Sequence, residues 1–145
     1  MEWLWGLKTV ACFDAWSIEH VLSGISIGRI VKTQNTKKLE GVIKNENASG
    51  FLYFDMLGVL FLAYLWETIE HYLETGLLGI TVEFWFQGVE MWGNRIITDP
   101  LLLVLGYYIV KNKPKWVIPA RCLTALWLFI HIFIFPHSMY LHEIL

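Results

Sequence analysis

Residues 51–72 of the chain read FLYFDMLGVLFLAYLWETIEHY, and this stretch decides the fold. A helix needs about 20 mostly apolar residues to cross the hydrocarbon core of a bilayer. Hydrocarbon also requires that every backbone group be paired within the spanning structure, which a helix achieves. Asp55 near the start is predicted to cap the helix, and Glu67, Glu70 and His71 lie together near the other end. We therefore predict a transmembrane helix with one polar end.

Three further stretches have the composition of spans. Two of them, at 86–110 and 116–135, are long and apolar, and a shorter one lies at 14–31. The apolar run from Trp3 to Phe13 is predicted to lie along the interface as a helix or to lengthen the first span. We therefore predict an all-α fold with one domain, an integral membrane bundle of four transmembrane helices.

The composition favours a membrane protein over a soluble one. Of the 145 residues, 56% are hydrophobic and only 17% are charged, whereas soluble domains carry about 25% charged residues. The net charge of −2 gives no basis for a nucleic-acid partner. Cys12 and Cys122 are predicted near opposite faces of the membrane, too far apart for a disulfide.

Basic residues determine the predicted orientation, because cytoplasmic loops of membrane proteins are enriched in lysine and arginine. The loop between the predicted second and third spans contains neither residue type. The first and third loops contain seven lysines: Lys32, Lys37, Lys38, Lys44, Lys111, Lys113 and Lys115. An even number of spans keeps these two loops on one side. The sequence therefore predicts a multi-pass cell-membrane protein with both termini outside the cytoplasm.

On this topology, ionisable side chains from separate spans meet in the outer half of the membrane. They are Asp14 and His20 in the first span, Glu67, Glu70 and His71 in the second, and Glu90, Arg95 and Asp99 in the third, beside Asn94. An ionisable group that faces lipid is costly unless it is paired or hydrated, so these groups are expected to face one another. Residues 67, 70, 71 and 74 have the spacing of one helix face.

The first span is predicted to pack closely against a neighbour. His20, Gly24 and Gly28 follow one another at intervals of four, which puts small residues on one face with the histidine at its outer end. Structural explanations also exist for the ionisable residues. His20 could be a packing histidine, Glu67 and Glu70 solvated carboxylates, and Arg95 with Asp99, four residues apart, an ion pair.

Glutamate and histidine three or four residues apart on a helix can bind a metal together, with ligands from other helices completing its shell. We predict His20, Glu67, Glu70 and His71 as metal ligands and Asp99 as a further catalytic residue beside His20, Glu67 and Glu70. Glu90, Asn94 and Arg95 are the predicted binding residues. Oxygen and imidazole ligands suit a divalent zinc, manganese or iron ion.

The leading functional hypothesis is a membrane-embedded enzyme. A metal at this site would activate water or polarise an ester or phosphoryl oxygen. The predicted enzyme is therefore a metal-assisted hydrolase or transferase that acts on a membrane lipid or lipid-linked headgroup at the outer leaflet. One alternative is a small proton- or ion-coupled transporter, a homo-oligomer because four short spans enclose little space. Another is a non-catalytic membrane subunit of the cell envelope.

Part of the chain, roughly residues 14–106, resembles small bacterial membrane proteins of the YjdF-like and VanZ-like type. The resemblance is carried by His20 followed by Gly24, by Trp66-Glu67-Thr68-Ile69-Glu70, and by a polar stretch from Gly88 to Gly106. It implies a shared architecture with His20, Glu67 and Glu70 as site residues, and its VanZ-like side implies a cell-envelope role. Asn94 precedes Asp99 by five residues where the pattern has four, so either a π-bulge absorbs one residue or Arg95 takes the position.

Overall fold

The fold is all-helical over the residues that the computed structural model describes, namely 4–41, 48–86 and 88–134. The α-helices are α1 (Ser17–Leu39), α2 (Ala48–Glu74), α3 (Ile80–Phe86), α4 (Asp99–Val110) and α5 (Val117–Phe129). Two π-helical turns, Asn94–Thr98 and Ile130–Ile134, and a 3-10 turn, Pro114–Trp116, adjoin α4 and α5. Lys44, the end of the predicted fourth span at 135 and both chain termini lie outside the described residues.

Helix α2 contains a segment, Gly50–Glu74, that is long and apolar enough to cross a membrane. Of the most apolar 18 residues in this segment, only 22% are buried inside the protein. Most of these residues are therefore at least partly exposed at the surface. Over the part of the chain with described structure, no other helix meets the same test. Helix α1 carries lysines along its last turns, and α4 and α5 have only 12 and 13 residues.

Helices α1 and α4 approach each other at their backbones, as the spacing of His20, Gly24 and Gly28 predicted. A Cβ atom at Gly24 would lie 2.1 Å from the carbonyl oxygen of Leu103. A Cβ atom at Gly106 would lie 2.3 Å from the carbonyl oxygen of Val21. Small residues on both helices thus permit a contact that any larger residue would prevent, and this contact fixes His20 beside the start of α4.

The predicted third span, 86–110, is not one continuous helix. Helix α3 ends at Phe86, and Gly88 has a φ of +104°, a conformation that glycine adopts readily and L side chains do not. The backbone N–H of Glu90 donates to Glu74 Oε2 (3.1 Å) and that of Met91 to the carbonyl of Lys8 (2.9 Å). Because other segments satisfy this backbone, the apolar stretch does not need to be helical.

A π-helical turn, Asn94–Thr98, leads into α4. It absorbs the extra residue between Asn94 and Asp99, which was the first of the two explanations offered for their spacing. The backbone N–H of Asp99 donates to the carbonyl of Asn94, five residues earlier. The hydroxyl of Tyr64 on α2 donates to the carbonyl of Ile96 (3.1 Å). The extra residue in this turn brings Asn94 and Asp99 to the same side of the segment.

The predicted N-terminal interfacial helix is absent, because residues 4–16 form a folded loop. The N–H of Gly6 donates to the carbonyl of Phe13 (3.1 Å), and the N–H of Phe13 donates to the carbonyl of Leu4 (3.0 Å). This loop buries Lys8, which is 1% exposed. A helix at the interface would have left that ammonium in water, whereas the loop carries it to the acidic residues described below.

Asp55 is not the cap of α2, since the helix begins seven residues earlier. Its buried carboxylate accepts hydrogen bonds from the Tyr107 hydroxyl (2.8 Å) and the Asn35 side-chain amide (2.9 Å). The apolar core, which includes Val59 and Ala63 of α2, lies between Asp55 and the polar end of that helix. The two polar levels are about 18 Å apart along α2, at 1.5 Å per residue.

Candidate metal centre

Polar side chains from four segments converge at the end of the bundle that holds Glu67. We call this set the polar cluster. Its members are Lys8 and Asp14 from the N-terminal loop, His20 from α1, Glu67, Glu70 and Glu74 from α2, and Glu90, Asn94, Arg95 and Asp99 from the segment that enters α4. The structure thus brings together all the predicted site residues, with His71 at the edge of the cluster in contact with Arg95.

His20 lies between carboxylates of two other helices. Its Nε2 is 3.3 Å from Asp99 Oδ2, and its Nδ1 is 3.7 Å from Glu67 Oε1. The imidazole is buried, and the close contact of α1 with α4 one turn further on holds it in place. In this position, His20 could bind the same metal ion as either carboxylate.

Two groups of side chains could each hold a metal ion. His20, Glu67 and Glu70 form one group, and Glu67, Glu90 and Asp99 form the other. Within each group, one potential ligand atom per residue lies within 4.8 Å of the others. Glu67 belongs to both groups, so it occupies the middle of the cluster.

The carboxylate oxygens in the middle of the cluster have no hydrogen-bond partners. These atoms are both oxygens of Glu67, both oxygens of Asp99 and Oε2 of Glu90. Their residues are 2%, 0% and 6% exposed, respectively. Most buried polar atoms in proteins are hydrogen-bonded, and a buried, unpaired charge is costly. The middle of the cluster therefore requires a counter-charge, either cations or protons.

Glu74 pairs with both cationic side chains of the cluster. It forms ion pairs with Lys8 and Arg95 and also accepts the backbone N–H of Glu90 (3.1 Å). Arg95 lies further from Glu90 Oε2 (3.6 Å) and from Glu67 Oε2 (3.9 Å). The cations thus neutralise Glu74 first and leave the three central carboxylates under-compensated.

Arg95 and Asp99 do not form the ion pair that the structural alternative required. In a regular α-helix, residues four apart share a face, but the π-helical turn inserts one extra residue between them. Arg95 consequently points to Glu74, and Asp99 points to His20. The alternative that this pair is purely structural loses its geometric basis.

His71 lies outside both ligand groups and is exposed. Its Nδ1 is 3.0 Å from Nη1 of Arg95, and because arginine is only a donor, this nitrogen accepts. The residue shares the helix face of Glu67 and Glu74 but extends past the cluster toward the outside. His71 therefore contacts the cluster through Arg95 and belongs to neither ligand group.

Asn94 and Asp14 position the edge of the cluster. The Asn94 amide donates to Glu90 Oε1 (2.8 Å) and to Asp14 Oδ2 (3.3 Å). Asp14 Oδ1 accepts the backbone N–H groups of Trp16 (2.7 Å) and Ser17 (3.0 Å) and so closes the first turn of α1. Asn94 thus holds Glu90 through its amide nitrogen, while its Oδ1 is buried without a hydrogen bond.

Sequence reasoning missed Lys8. It lies in an apolar run, far in sequence from its partner Glu74, and it is among the largest fully buried side chains. The signal that could have found it is a single lysine in an apolar segment of a chain whose predicted site has an excess of carboxylates.

A cavity of about 580 Å³ lies next to the cluster, within the size range of small-molecule sites. Residues of all five α-helices line it, and most of them are apolar, among them Leu62, Leu65 and Leu128. His20 and Glu70 also line it. A molecule in this cavity would therefore contact two members of the first ligand group.

Compared with protein-family models, with curated proteins and with solved structures, the chain matches none.

Proposed function

We propose that this protein is a membrane-embedded, metal-dependent enzyme, a hydrolase or transferase that acts on the headgroup of a lipid or lipid-linked substrate. The observation that carries the proposal is the double role of His20 and Glu70, which belong to a ligand group and to the wall of an apolar cavity. An apolar substrate chain would occupy the cavity, and its headgroup would lie at the metal. A cell-envelope role, as the VanZ-like resemblance implies, fits such a substrate.

Outward-facing apolar residues support the four-span arrangement as part of this proposal. Phe61 on α2, Leu101 on α4 and Ile118 on α5 are 67%, 59% and 65% exposed. Soluble monomers rarely expose large contiguous apolar surfaces, and lipid would cover them. Each span of the bundle would then combine helices with their adjoining turns, as α4 does with the π-helical turn before it.

The proposed hydrolysis adds water across an ester or phosphoester bond of the headgroup. The water oxygen bonds to the acyl or phosphoryl centre, the bond to the leaving alcohol breaks, and a water proton passes to that alcohol. A divalent ion held by His20, Glu67 and Glu70 would polarise the carbonyl or phosphoryl oxygen and promote ionisation of the water. In a transferase, an acceptor hydroxyl takes the place of the water.

Metal analysis of the protein purified in detergent tests the proposal. We expect at least one equivalent of zinc, manganese or iron per chain in the wild type, and none in Glu67→Ala. His20→Ala should reduce the metal content. Glu40→Ala is the matched control, because Glu40 is an exposed carboxylate outside the cluster. A wild-type protein without metal after growth in metal-supplemented medium would contradict the metal-dependent mechanism.

A second variant of the same residue, Glu67→Gln, separates the enzyme from a non-catalytic subunit. If the cluster only fixes helix packing, Glu67→Gln should lower the melting temperature markedly and leave lipid composition unchanged. If the cluster is catalytic, Glu67→Gln should remain folded, and cells that carry it should accumulate the same lipid species as a deletion strain. Identical lipid profiles in wild-type and deletion strains would contradict the enzymatic role.

The ion-coupled transporter has less support. It requires a polar route from the cluster toward Asp55, but Val59, Ala63 and Leu103 between them are buried and apolar. Proton or cation flux into liposomes that contain the purified protein would reinstate it.

A further inference from the structure

We infer that the polar cluster binds two divalent cations, with the Glu67 carboxylate as the bridge between them. This inference rests on the proposed metal-dependent function and specifies its centre. The first cation would be held by His20, Glu67 and Glu70, and the second by Glu67, Glu90 and Asp99.

The two ligand groups differ in all members but one. Each group is compact, with one ligand atom per residue inside a 4.8 Å limit, and Glu67 is the residue that they share. A carboxylate has two oxygens, and neither oxygen of Glu67 has a hydrogen-bond partner. A carboxylate can bind one ion through each of its oxygens, so Glu67 has the chemistry that a bridge between the two groups requires. Paired ions about 3.5–4 Å apart are a recurrent arrangement in hydrolytic metal centres.

Unpartnered oxygens on deeply buried side chains point to cations rather than to an ordinary acidic surface. Asp99 is completely buried, and both of its oxygens lack a hydrogen bond. Glu90 uses Oε1 to accept from Asn94, while its Oε2 has no hydrogen bond. The second group thus offers oxygens without a hydrogen bond from three residues, each more than nine-tenths buried.

The charge of the cluster agrees with two divalent ions. Six carboxylates oppose two cationic side chains, which leaves a formal charge of −4 when every carboxylate is ionised and His20 is neutral. The carboxylates are Asp14, Glu67, Glu70, Glu74, Glu90 and Asp99, and the cations are Lys8 and Arg95. Two divalent ions supply a charge of +4. One ion would leave two charges uncompensated in a site where hydration is restricted.

The two positions differ in ligand chemistry. The first includes an imidazole, which suits zinc and iron, and the second offers oxygen only, which suits manganese or magnesium. Loss of His20 should therefore empty the first position, and loss of the Glu90 carboxylate should empty the second. Loss of Glu67 should empty both.

Manganese binding to the full-length protein in detergent tests the inference. The protein is incubated with manganese chloride and desalted, bound manganese is counted by mass spectrometry, and its electron paramagnetic resonance spectrum is recorded. We expect two equivalents with an exchange-coupled spectrum in the wild type and in Glu40→Ala. We expect one equivalent without coupling in His20→Ala and Glu90→Gln, and none in Glu67→Ala.

The wild-type result decides the inference even if a variant fails to fold. One equivalent without exchange coupling would overturn the two-ion centre and leave the metal-dependent function standing. No bound manganese, together with no co-purified zinc or iron, would overturn both, and protons would then neutralise the carboxylates. Two equivalents that persist in folded Glu67→Gln would refute the bridge and place the ions elsewhere.

Discussion

Replacing Gly24 by alanine should disable the site from a distance, because it forces apart the helices that carry His20 and Asp99. The added Cβ atom would lie 2.1 Å from the carbonyl oxygen of Leu103 and within 2.9 Å of its Cα. Both atoms belong to the backbone of α4, so no side-chain rotation can relieve the overlap. Gly24 lies one turn after His20 on α1, and Leu103 lies one turn after Asp99 on α4.

The size of the effect follows from the distances. Ordinary contact begins at 3.4 Å, so α1 and α4 must separate by about 1.3 Å. Overpacking of this kind costs about 1–3 kcal/mol, and we expect the upper end because only backbone can yield. At roughly 2–4 °C per kcal/mol for a chain of this size, the melting temperature should fall by roughly 6–12 °C.

Metal binding should be affected more strongly than the stability of the fold. Metal–ligand distances tolerate deviations of only about 0.2 Å, and the separation moves His20 by several times that amount. Gly24→Ala should therefore bind manganese at least tenfold more weakly at the position that includes His20, a loss of the size seen when ligand support is removed (about 10–100-fold).

Thermal unfolding and manganese titration of purified Gly24→Ala check both effects. Gly41→Ala is the matched control, since a Cβ atom there meets nothing within 4 Å. It should melt and bind metal like the wild type. If Gly24→Ala also behaves like the wild type, then α1 and α4 are not in backbone contact and the placement of His20 beside Asp99 is wrong.

Three other changes test separate parts of the structure. Lys8→Met removes a buried cation from Glu74 and should destabilise the protein by about 3–5 kcal/mol, measured by denaturant unfolding in detergent. The control Lys38→Met changes an exposed position and should have little effect. Equal stabilities of the two variants would contradict the burial of Lys8. His71→Ala should leave the bound-metal count unchanged by mass spectrometry, and a lost equivalent would return His71 to the ligand set. Chelation of the metal should lower the melting temperature of the wild type, because an ion at 100 times its dissociation constant stabilises the folded protein by about 2.7 kcal/mol. The melting temperature of Glu67→Ala should not change. An equal response of both proteins would place the stabilising metal elsewhere.

Much of the helical framework could be predicted from apolar length alone. The stretch 51–72 lies inside α2, which extends it by three residues before and two after. The faces of α1 and α2 were also readable, because regular helical spacing puts Gly24 below His20 and Glu70 near Glu67. These predictions depend on the helix repeat, which is a local property of the chain.

The remaining errors have a common physical cause. The apolar composition around Gly88 resembles a span, but it does not say which groups will satisfy the backbone, and here Glu74 and the carbonyl of Lys8 do so. The N-terminal loop is likewise determined by a distant partner of Lys8 rather than by local preference. Contacts between segments far apart in sequence override the helical preference in both places.

The π-helical turn shows how such an irregularity creates the site. In a regular helix, Arg95 and Asp99 would share a face, and the guanidinium would neutralise the carboxylate that lies closest to His20. The extra residue in the turn separates them, so that Arg95 joins Lys8 at Glu74 while Asp99 lies beside His20 and makes no ion pair with an arginine or a lysine among the described residues. A π-helical turn is usually less stable than an α-helical one and is frequent at functional sites. Its position between these two residues favours a binding role for the cluster over a purely structural one, because a structural cluster would gain stability from the ion pair that the turn prevents.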